Sequence, residues 1–290
     1  MELLKDHLFE KGFILTGTAS NVLNPYIGEI RFGGEKPDWK LGQWASRDLI
    51  TPETPLKSEG NGKILQTGTK YIKVIPGAGR FRMDTEASKE YTHVRREGEA
   101  WPHLLIDQDL SDRDLDLSAL EYLRFSLDFC IEACECRMQK DEFDPALHTA
   151  QFQWYCTLRN QNRNSPDFGD TIWFGLQFYD ARMPRPGGTI QVDGGKEDAS
   201  GFAIYCVEYD KFLSEPVKIG EKYSVRFDLL PEIGTAIGKV KKFEGVRSFR
   251  NTSLSDLRVT SMNLGWELPG TYDVRSWFSG LSLNYKRREG

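Results

Sequence analysis

The sequence predicts an all-β fold of two antiparallel sheets packed face to face, with one or two short helices. Three observations carry that prediction. From about residue 120 onward, alternating apolar and polar runs follow one another, each long enough for a strand. Gly and Pro interrupt the chain at short intervals, as turns between strands require. Only one internal segment has helical spacing.

Taken in order, residues 1–12 read as a short amphipathic helix ended by Gly12. Residues 13–100 read as short Gly/Pro-punctuated strands. Asn24-Pro25, Gly33-Gly34, Glu59-Gly60-Asn61-Gly62 and Pro76-Gly77-Ala78-Gly79 separate β-prone runs such as Lys70 to Ile75. Trp101-Pro102-His103-Leu104-Leu105-Ile106 then leads into an acidic loop over 107–116. The main strands follow at 122–136, 149–159, 171–180, 202–209, 223–229, 258–268 and 278–285. Between Pro231 and Phe243 the residues Ile233, Ile237 and Val240 share one side of a helix. Thr252 to Leu257 adds a capped turn. No composition shift marks a boundary, so 1–290 reads as one domain whose principal strands lie in 101–290. Many strands and few helices define a sandwich or jelly roll.

Composition narrows the function classes. Hydrophobic residues make up 39% and charged residues 28% of 290, enough apolar content for a packed core. Lys and Arg number 38 against 43 Asp and Glu, and a net charge of −5 points away from nucleic acid. No apolar run approaches the roughly 18–20 residues of a membrane-spanning helix. The charged N-terminus, Met1 to Phe9, lacks a secretory signal, which as written predicts a cytoplasmic protein; a chain begun after a removed signal would be secreted. Five cysteines are an odd number. Cys130, Cys134 and Cys136 fall in the alternating run 123–136 and are predicted to share one strand face. Cys134 and Cys136 would stand about 6.6 Å apart along it, too far for an unstrained disulfide. No second ligand pair completes a zinc site, so they read as reduced thiols.

Strand parity locates a candidate site. Each strand of such a sandwich gives alternate residues to the core and the rest to solvent or ligand. In 149–159 the core set is Phe152, Trp154, Cys156 and Leu158, which turns Gln151, Gln153, Tyr155, Thr157 and Arg159 outward. In 171–180, Ile172, Phe174, Leu176 and Phe178 face in, and Trp173, Gly175, Gln177 and Tyr179 face out. In 202–206, Phe202, Ile204 and Cys206 are assigned inward and Tyr205 outward. In 258–268, Met262, Leu264, Trp266 and Leu268 face in, leaving Ser261, Asn263, Gly265 and Glu267 outside. The outward set mixes flat aromatic rings with amides, one guanidinium and one carboxylate. A sugar offers a C–H face for stacking and hydroxyls that each want a donor and an acceptor, so this mixture suits a carbohydrate. Gly175 and Gly265 are expected to leave room for it. A second core layer covering this face is the alternative.

The segments Thr171 to Asp180, Leu264 to Gly270 and Phe278 to Tyr285 resemble the jelly-roll, concanavalin-A-like group of carbohydrate-active proteins. The resemblance is one of architecture and residue style over roughly residues 100–290, without a diagnostic motif, and the Glu-x-Asp-x-x-Glu strand of its laminarinase-type members is absent. It implies a concave sheet that holds a glycan, with a structural calcium ion at the rim of some members.

Catalysis requires more. Glycoside hydrolysis needs two carboxyl groups about 5–9.5 Å apart. Glu267 is the first candidate, with Asp180 or Asp193 as partner; an ion pair of Glu267 with Arg159 or Arg182 is the structural alternative. A polysaccharide lyase would need a base and a cation, for which Tyr155, Tyr179, Arg159, His148 and His103 are available, His103 reading rather as a loop or core histidine. No nucleophile elbow, phosphate-binding loop or zinc helix occurs, and no cofactor is called for. The acidic runs 107–116 and 193–198 offer oxygen ligands for calcium without a calcium-loop spacing, and read as solvated loops. Three readings stay open: a carbohydrate-binding sandwich, a glycoside hydrolase or lyase working through Glu267, and a non-catalytic structural or partner-binding protein.

Overall fold

Period-two alternation gives each strand one apolar face, and two such faces closing on each other exclude water from both. That is the architecture of the computed structural model, which describes residues 1–18, 25–193, 200–246 and 249–289. The turn signal at Asn24 and residues 194–198 of the second acidic run lie outside the described residues.

The first half of the chain forms β1 (Gly12–Thr18), β2 (Tyr26–Arg31), β3 (Trp39–Trp44), β4 (Lys57–Glu59), β5 (Gly62–Gln66), β6 (Lys70–Ile75), β7 (Arg80–Glu86) and β8 (His103–Asp109). The second half forms β9 (Leu120–Cys136), β10 (Gln151–Asn160), β11 (Thr171–Asp180), β12 (Ile190–Val192), β13 (Ala203–Cys206), β14 (Lys222–Asp228), the helix α1 (Leu229–Val240), β15 (Leu257–Glu267) and β16 (Tyr272–Arg287). A nine-stranded sheet runs β12-β13-β11-β10-β15-β8-β3-β1-β2, and a seven-stranded sheet runs β14-β9-β16-β7-β6-β5-β4. The seven-stranded sheet is antiparallel throughout. The nine-stranded sheet is mixed, because β1 pairs with β3 and β11 with β13 in parallel.

Aromatic side chains fill the space between the sheets. Phe125 of β9 meets Trp154 of β10 at 4.8 Å between ring centroids, and Phe129 meets Phe152 and Phe178 at 5.8 and 5.2 Å. Each such ring fully removed from water contributes about 1.5–3 kcal/mol. Trp266 of β15 also donates its indole N–H to Ser276 of β16 at 2.9 Å, a polar tie across the core. The helix falls where Ile233, Ile237 and Val240 predict it, capped by Asp228 at the Leu230 N–H. A capping box of Ser253 and Asp256 forms the turn expected near 252–257.

Two expectations fail here. Residues 1–12 form no helix. Gln108 accepts from Lys5 N–H at 2.6 Å and donates to Lys5 C=O at 2.8 Å, and Trp39 donates to the Asp6 carbonyl. Side chains of other strands thus satisfy the backbone groups a helix would have satisfied internally. The segment instead plugs the core, with Phe9 lying 5.0 Å from Trp39 and 5.4 Å from Phe81. The three cysteines of β9 also do not share a face. Ser276 pairs with Ile131 and Arg275 with Ala133, so Glu132 is an extra residue and the strand bulges. Cys130 is on the outer sheet face, buried opposite Trp277, whereas Cys134 packs against the core. All five cysteines are free thiols.

Candidate ligand-binding face

The outer face of the nine-stranded sheet is set by register. Across β11, β10 and β15, Gly175 stands opposite Tyr155 and Tyr155 opposite Asn263; one step along, Gln177, Gln153 and Gly265 align. On β8 the same face carries His103, Leu105 and Asp107, and on β3 it carries Lys40, Gly42 and Trp44. The inward assignments for β10, β11 and β15 agree with the structure: Phe152, Trp154, Cys156, Leu158, Ile172, Phe174, Leu176, Met262, Leu264 and Trp266 are buried. Outside, Trp173, Tyr155, Gln177 and Glu267 stay partly open to solvent, whereas Gln153, Thr157 and Asn263, expected to be open on this face, are buried by their neighbours. The helix does not cover them, since its Glu232 accepts from Tyr205 on the core side.

Tyr155 has the most informative geometry. A Cβ added to Gly175 would lie 2.1, 2.5 and 2.7 Å from Cε1, Cδ1 and Cζ of Tyr155. Three such similar distances place that carbon against the face of the ring, so the phenol lies flat across Gly175. Its hydroxyl reaches Cys206 Sγ at 3.2 Å and accepts from Gln177 Nε2 at 3.3 Å. Burial pushes the phenol well above its ordinary pKa of 10, which keeps it neutral. The room expected over Gly175 is therefore filled, by a ring presenting its other face outward. Gly265 leaves no space either. Its φ is +150° and a Cβ would lie 2.3 Å from the Leu104 carbonyl, so glycine serves the close approach of β8.

At one end of the face stands Glu267. Its Oε1 accepts from Gln153 Nε2 at 2.7 Å; Oε2 accepts from Trp101 Nε1 at 3.3 Å and lies 3.4 Å from His103 Nε2. His103 Nδ1 faces the Trp101 carbonyl at 2.9 Å, which can only accept. The Nδ1 proton is therefore assigned from its carbonyl partner, and Nε2 faces the carboxylate. Burial alone would raise the Glu267 carboxyl, but neighbouring His103 and the Trp101 and Gln153 donors outweigh it and hold the group below its ordinary 4.5. Trp101 is itself clamped: Arg95 lies 5.1 Å over its ring and donates to Pro269 O at 2.7 Å and Leu147 O at 2.6 Å. Trp44 flanks His103 from the other side at 5.2 Å.

Other candidate residues fall elsewhere. Tyr205 is not on this face. The parallel register puts it beside Phe174, on which it stacks at 5.8 Å, and its hydroxyl donates to buried Glu232. Residues 203–206 are apolar on both faces, and Phe202 lies outside the strand, so alternation there had the wrong sign. Tyr179 also turns inward. Phe152 pairs with Tyr179 but Gln153 with Gln177, so Phe178 is an extra residue, and Tyr179 packs edge-on against Trp266 at 6.2 Å. Arg159 is exposed at the far end of β10 and Arg182 binds Asp180, so neither pairs with Glu267. His148 is buried beyond the face, accepting from Asp144 N–H and donating to Arg95 O.

The two proposed carboxylate partners differ. Asp180 shares the face, because Gln151 pairs with both Asp180 and Glu267; two strand spacings put their Cα atoms about 10 Å apart. Yet Asp180 already accepts from Thr149, Gln151 and three groups of Arg182. Burial would raise its carboxyl, but the Arg182 bonds and charge with the Thr149 bond hold it below 3.8. Asp193 follows the edge strand β12, four strands from β15, hence at least about 19 Å away, and accepts from Ser200. It is out of reach for paired carboxylate chemistry.

The acidic stretch 107–116 begins as strand: Asp107, Gln108 and Asp109 complete β8. The carboxylates that follow turn to local donors, Asp112 to Lys5, Asp114 to Arg258 and Asp116 to Ser118. Among the described residues no group of three or more His, Cys, Asp or Glu is arranged to hold a metal. Trp44, Trp101, Lys40, Asp107 and Cys206 escaped the sequence reading as members of this face. The alternation His103, Leu105, Asp107 against Leu104, Ile106, Gln108 was the available signal, blurred by an apolar residue on each side.

Fold and face together define a two-sheet β-sandwich with a polar-aromatic outer sheet face. No family model matches the chain, and no curated protein does. Among solved structures it is similar to a family 12 xyloglucanase from Bacillus licheniformis at 9% identity and TM-score 0.46, covering 83% of this chain and 100% of that one. An endoglucanase from Rhodothermus marinus matches at 12% identity and TM-score 0.42, covering 86% and 99% of the two chains. A family 11 xylanase from Neocallimastix patriciarum matches at 9% and 0.43, covering 82% and 99%. At these values the likeness supplies no correspondence of site residues.

Proposed function

We propose that the outer face of the nine-stranded sheet binds carbohydrate. One observation carries the reading: the Tyr155 ring, laid flat over Gly175 with its hydroxyl anchored, is a half-open stacking surface bordered by amides. Gln177, partly open, borders the ring and is held by a bond to buried Gln153, and Trp173 extends the aromatic surface along β11. Neutral, flat and bidentate groups in one patch fit a sugar's apolar face and hydroxyl rim. Co-sedimentation with insoluble polysaccharides tests this. Wild type should pellet with at least one polymer, Trp173→Ala should pellet less, and no pelleting with any polymer would refute binding of those polymers.

A second reading is favoured by Glu267 alone, a carboxylate held below its ordinary pKa and 3.4 Å from His103 on the same face. It fits a glycoside hydrolase or lyase with Glu267 as nucleophile or base and His103 as its proton partner. Against it stands Asp180, whose oxygens are occupied by Arg182, Thr149 and Gln151. New reducing ends, or new unsaturated ends, that vanish in Glu267→Gln while pelleting persists would establish it. Binding without product would leave Glu267 a hydrogen-bond acceptor for the ligand.

A further inference from the structure

The outer face of the other sheet carries a second aromatic surface, independent of the glycan reading. Trp277 of β16 stands opposite Arg82 of β7, which stands opposite Lys73 of β6. Together with Ile75 and Arg80 they line a cleft of about 250 Å³. Arg80 lies 4.9 Å over the indole and Lys222 5.6 Å from it. The carboxylates nearby are engaged: Glu59 with Lys73, Asp84 and Glu132 with Arg82. Among the described residues, Arg80 and Lys222 have no carboxylate within 4.0 Å, although the chain as a whole carries −5. Two cations without a carboxylate partner thus stand beside a partly open indole.

An apolar wall of Ile75 and Trp277 suits a ring, and the free guanidinium suits an oxyanion attached to it. Cavities of about 150 Å³ already hold a benzene ring, so the cleft accommodates a six-membered ring with a carboxylate. We infer that this cleft is a binding site for a carboxylated ring, held by the Arg80 and Lys222 charges against Trp277. A sugar acid and an aromatic acid share that chemistry.

The test follows the indole N–H resonance of Trp277, identified by Trp277→Phe, in the intact protein at constant ionic strength. Sodium glucuronate and sodium benzoate are titrated separately, with glucose and sodium sulfate as controls. A saturable shift with either carboxylate, absent with glucose and sulfate, is the expected result, and the active compound identifies the source as sugar acid or aromatic acid. Arg80→Gln and Lys222→Gln, both at exposed positions, should each weaken that binding about two- to fivefold. No shift with either carboxylate would overturn the inference. So would an equal shift with glucose, or one with sulfate, which would make the site an adventitious ion site only.

Discussion

Replacing Gly175 by Ala tests the geometry on which the ligand face depends. The backbone there tolerates alanine, but its methyl carbon would sit 2.1 Å from Tyr155 Cε1, where non-bonded carbons do not approach. The ring must swing off the sheet, giving up its contact with Cys206 and its bond from Gln177. Overpacking of this kind costs about 1–3 kcal/mol. Urea unfolding followed by tryptophan fluorescence reads that cost as a lowered midpoint at unchanged slope. The decisive comparison is a double-mutant cycle. In a Tyr155→Ala background the ring is gone, so the same Gly175→Ala change should cost close to nothing. A similar loss in both backgrounds would mean that Gly175 is required for reasons of its own and that the phenol is not seated on it.

Three further outcomes are expected. Lys70 is fully buried with Glu90 and donates to Ser46 at 2.5 Å and the Asp48 carbonyl at 2.6 Å, pinning the turn that follows Trp44. Lys70→Met should therefore cost about 3–5 kcal/mol in urea unfolding, much of it recovered in Lys70→Met/Glu90→Leu. Glu267 in the folded protein lies below its ordinary 4.5, so its ionised form favours folding above that pH and the contribution is lost as pH falls through the folded value. Urea midpoints of Glu267→Gln should accordingly fall less than those of wild type between pH 5 and pH 3. Trp266→Phe removes the indole bond to buried Ser276 and should cost about 1–3 kcal/mol; an unchanged midpoint would show that the tie across the core contributes little.

Much of this architecture was legible where burial is one-sided. In β10, β11 and β15, apolar and polar residues alternate without ambiguity, and their predicted limits lie within two residues of the observed ones. Parity then placed Gln153, Tyr155, Trp173, Gln177, Asn263 and Glu267 on one face. It failed where a physical determinant lay outside the strand. A bulge at Phe178 rotated Tyr179 inward, and another at Glu132 separated Cys130 from Cys134, because one inserted residue exchanges the two faces of a strand. Tyr205 was misassigned because its phenol finds Glu232, a helix residue some 27 positions away, and so is satisfied in the core. The N-terminal segment looked helical by its own spacing, but Gln108 and Trp39 offered its backbone better partners. Trp101, which precedes β8, belongs to the face through its bond to Glu267 more than 160 positions away, beyond the reach of any local pattern.

The measurement that bears most directly on a carbohydrate face is affinity electrophoresis of wild type and Tyr155→Ala, side by side, in native gels cast with a panel of polysaccharides. Each gel is stained afterwards for the polymer, so that clearing by an enzyme is distinguished from retention by a binding protein. Wild type should be retarded by at least one polymer, and Tyr155→Ala should migrate in that gel as it does without polymer. Equal retardation of the two proteins would place the binding surface elsewhere. Unretarded wild type across the panel, with no cleared zone, would contradict a polysaccharide-binding face.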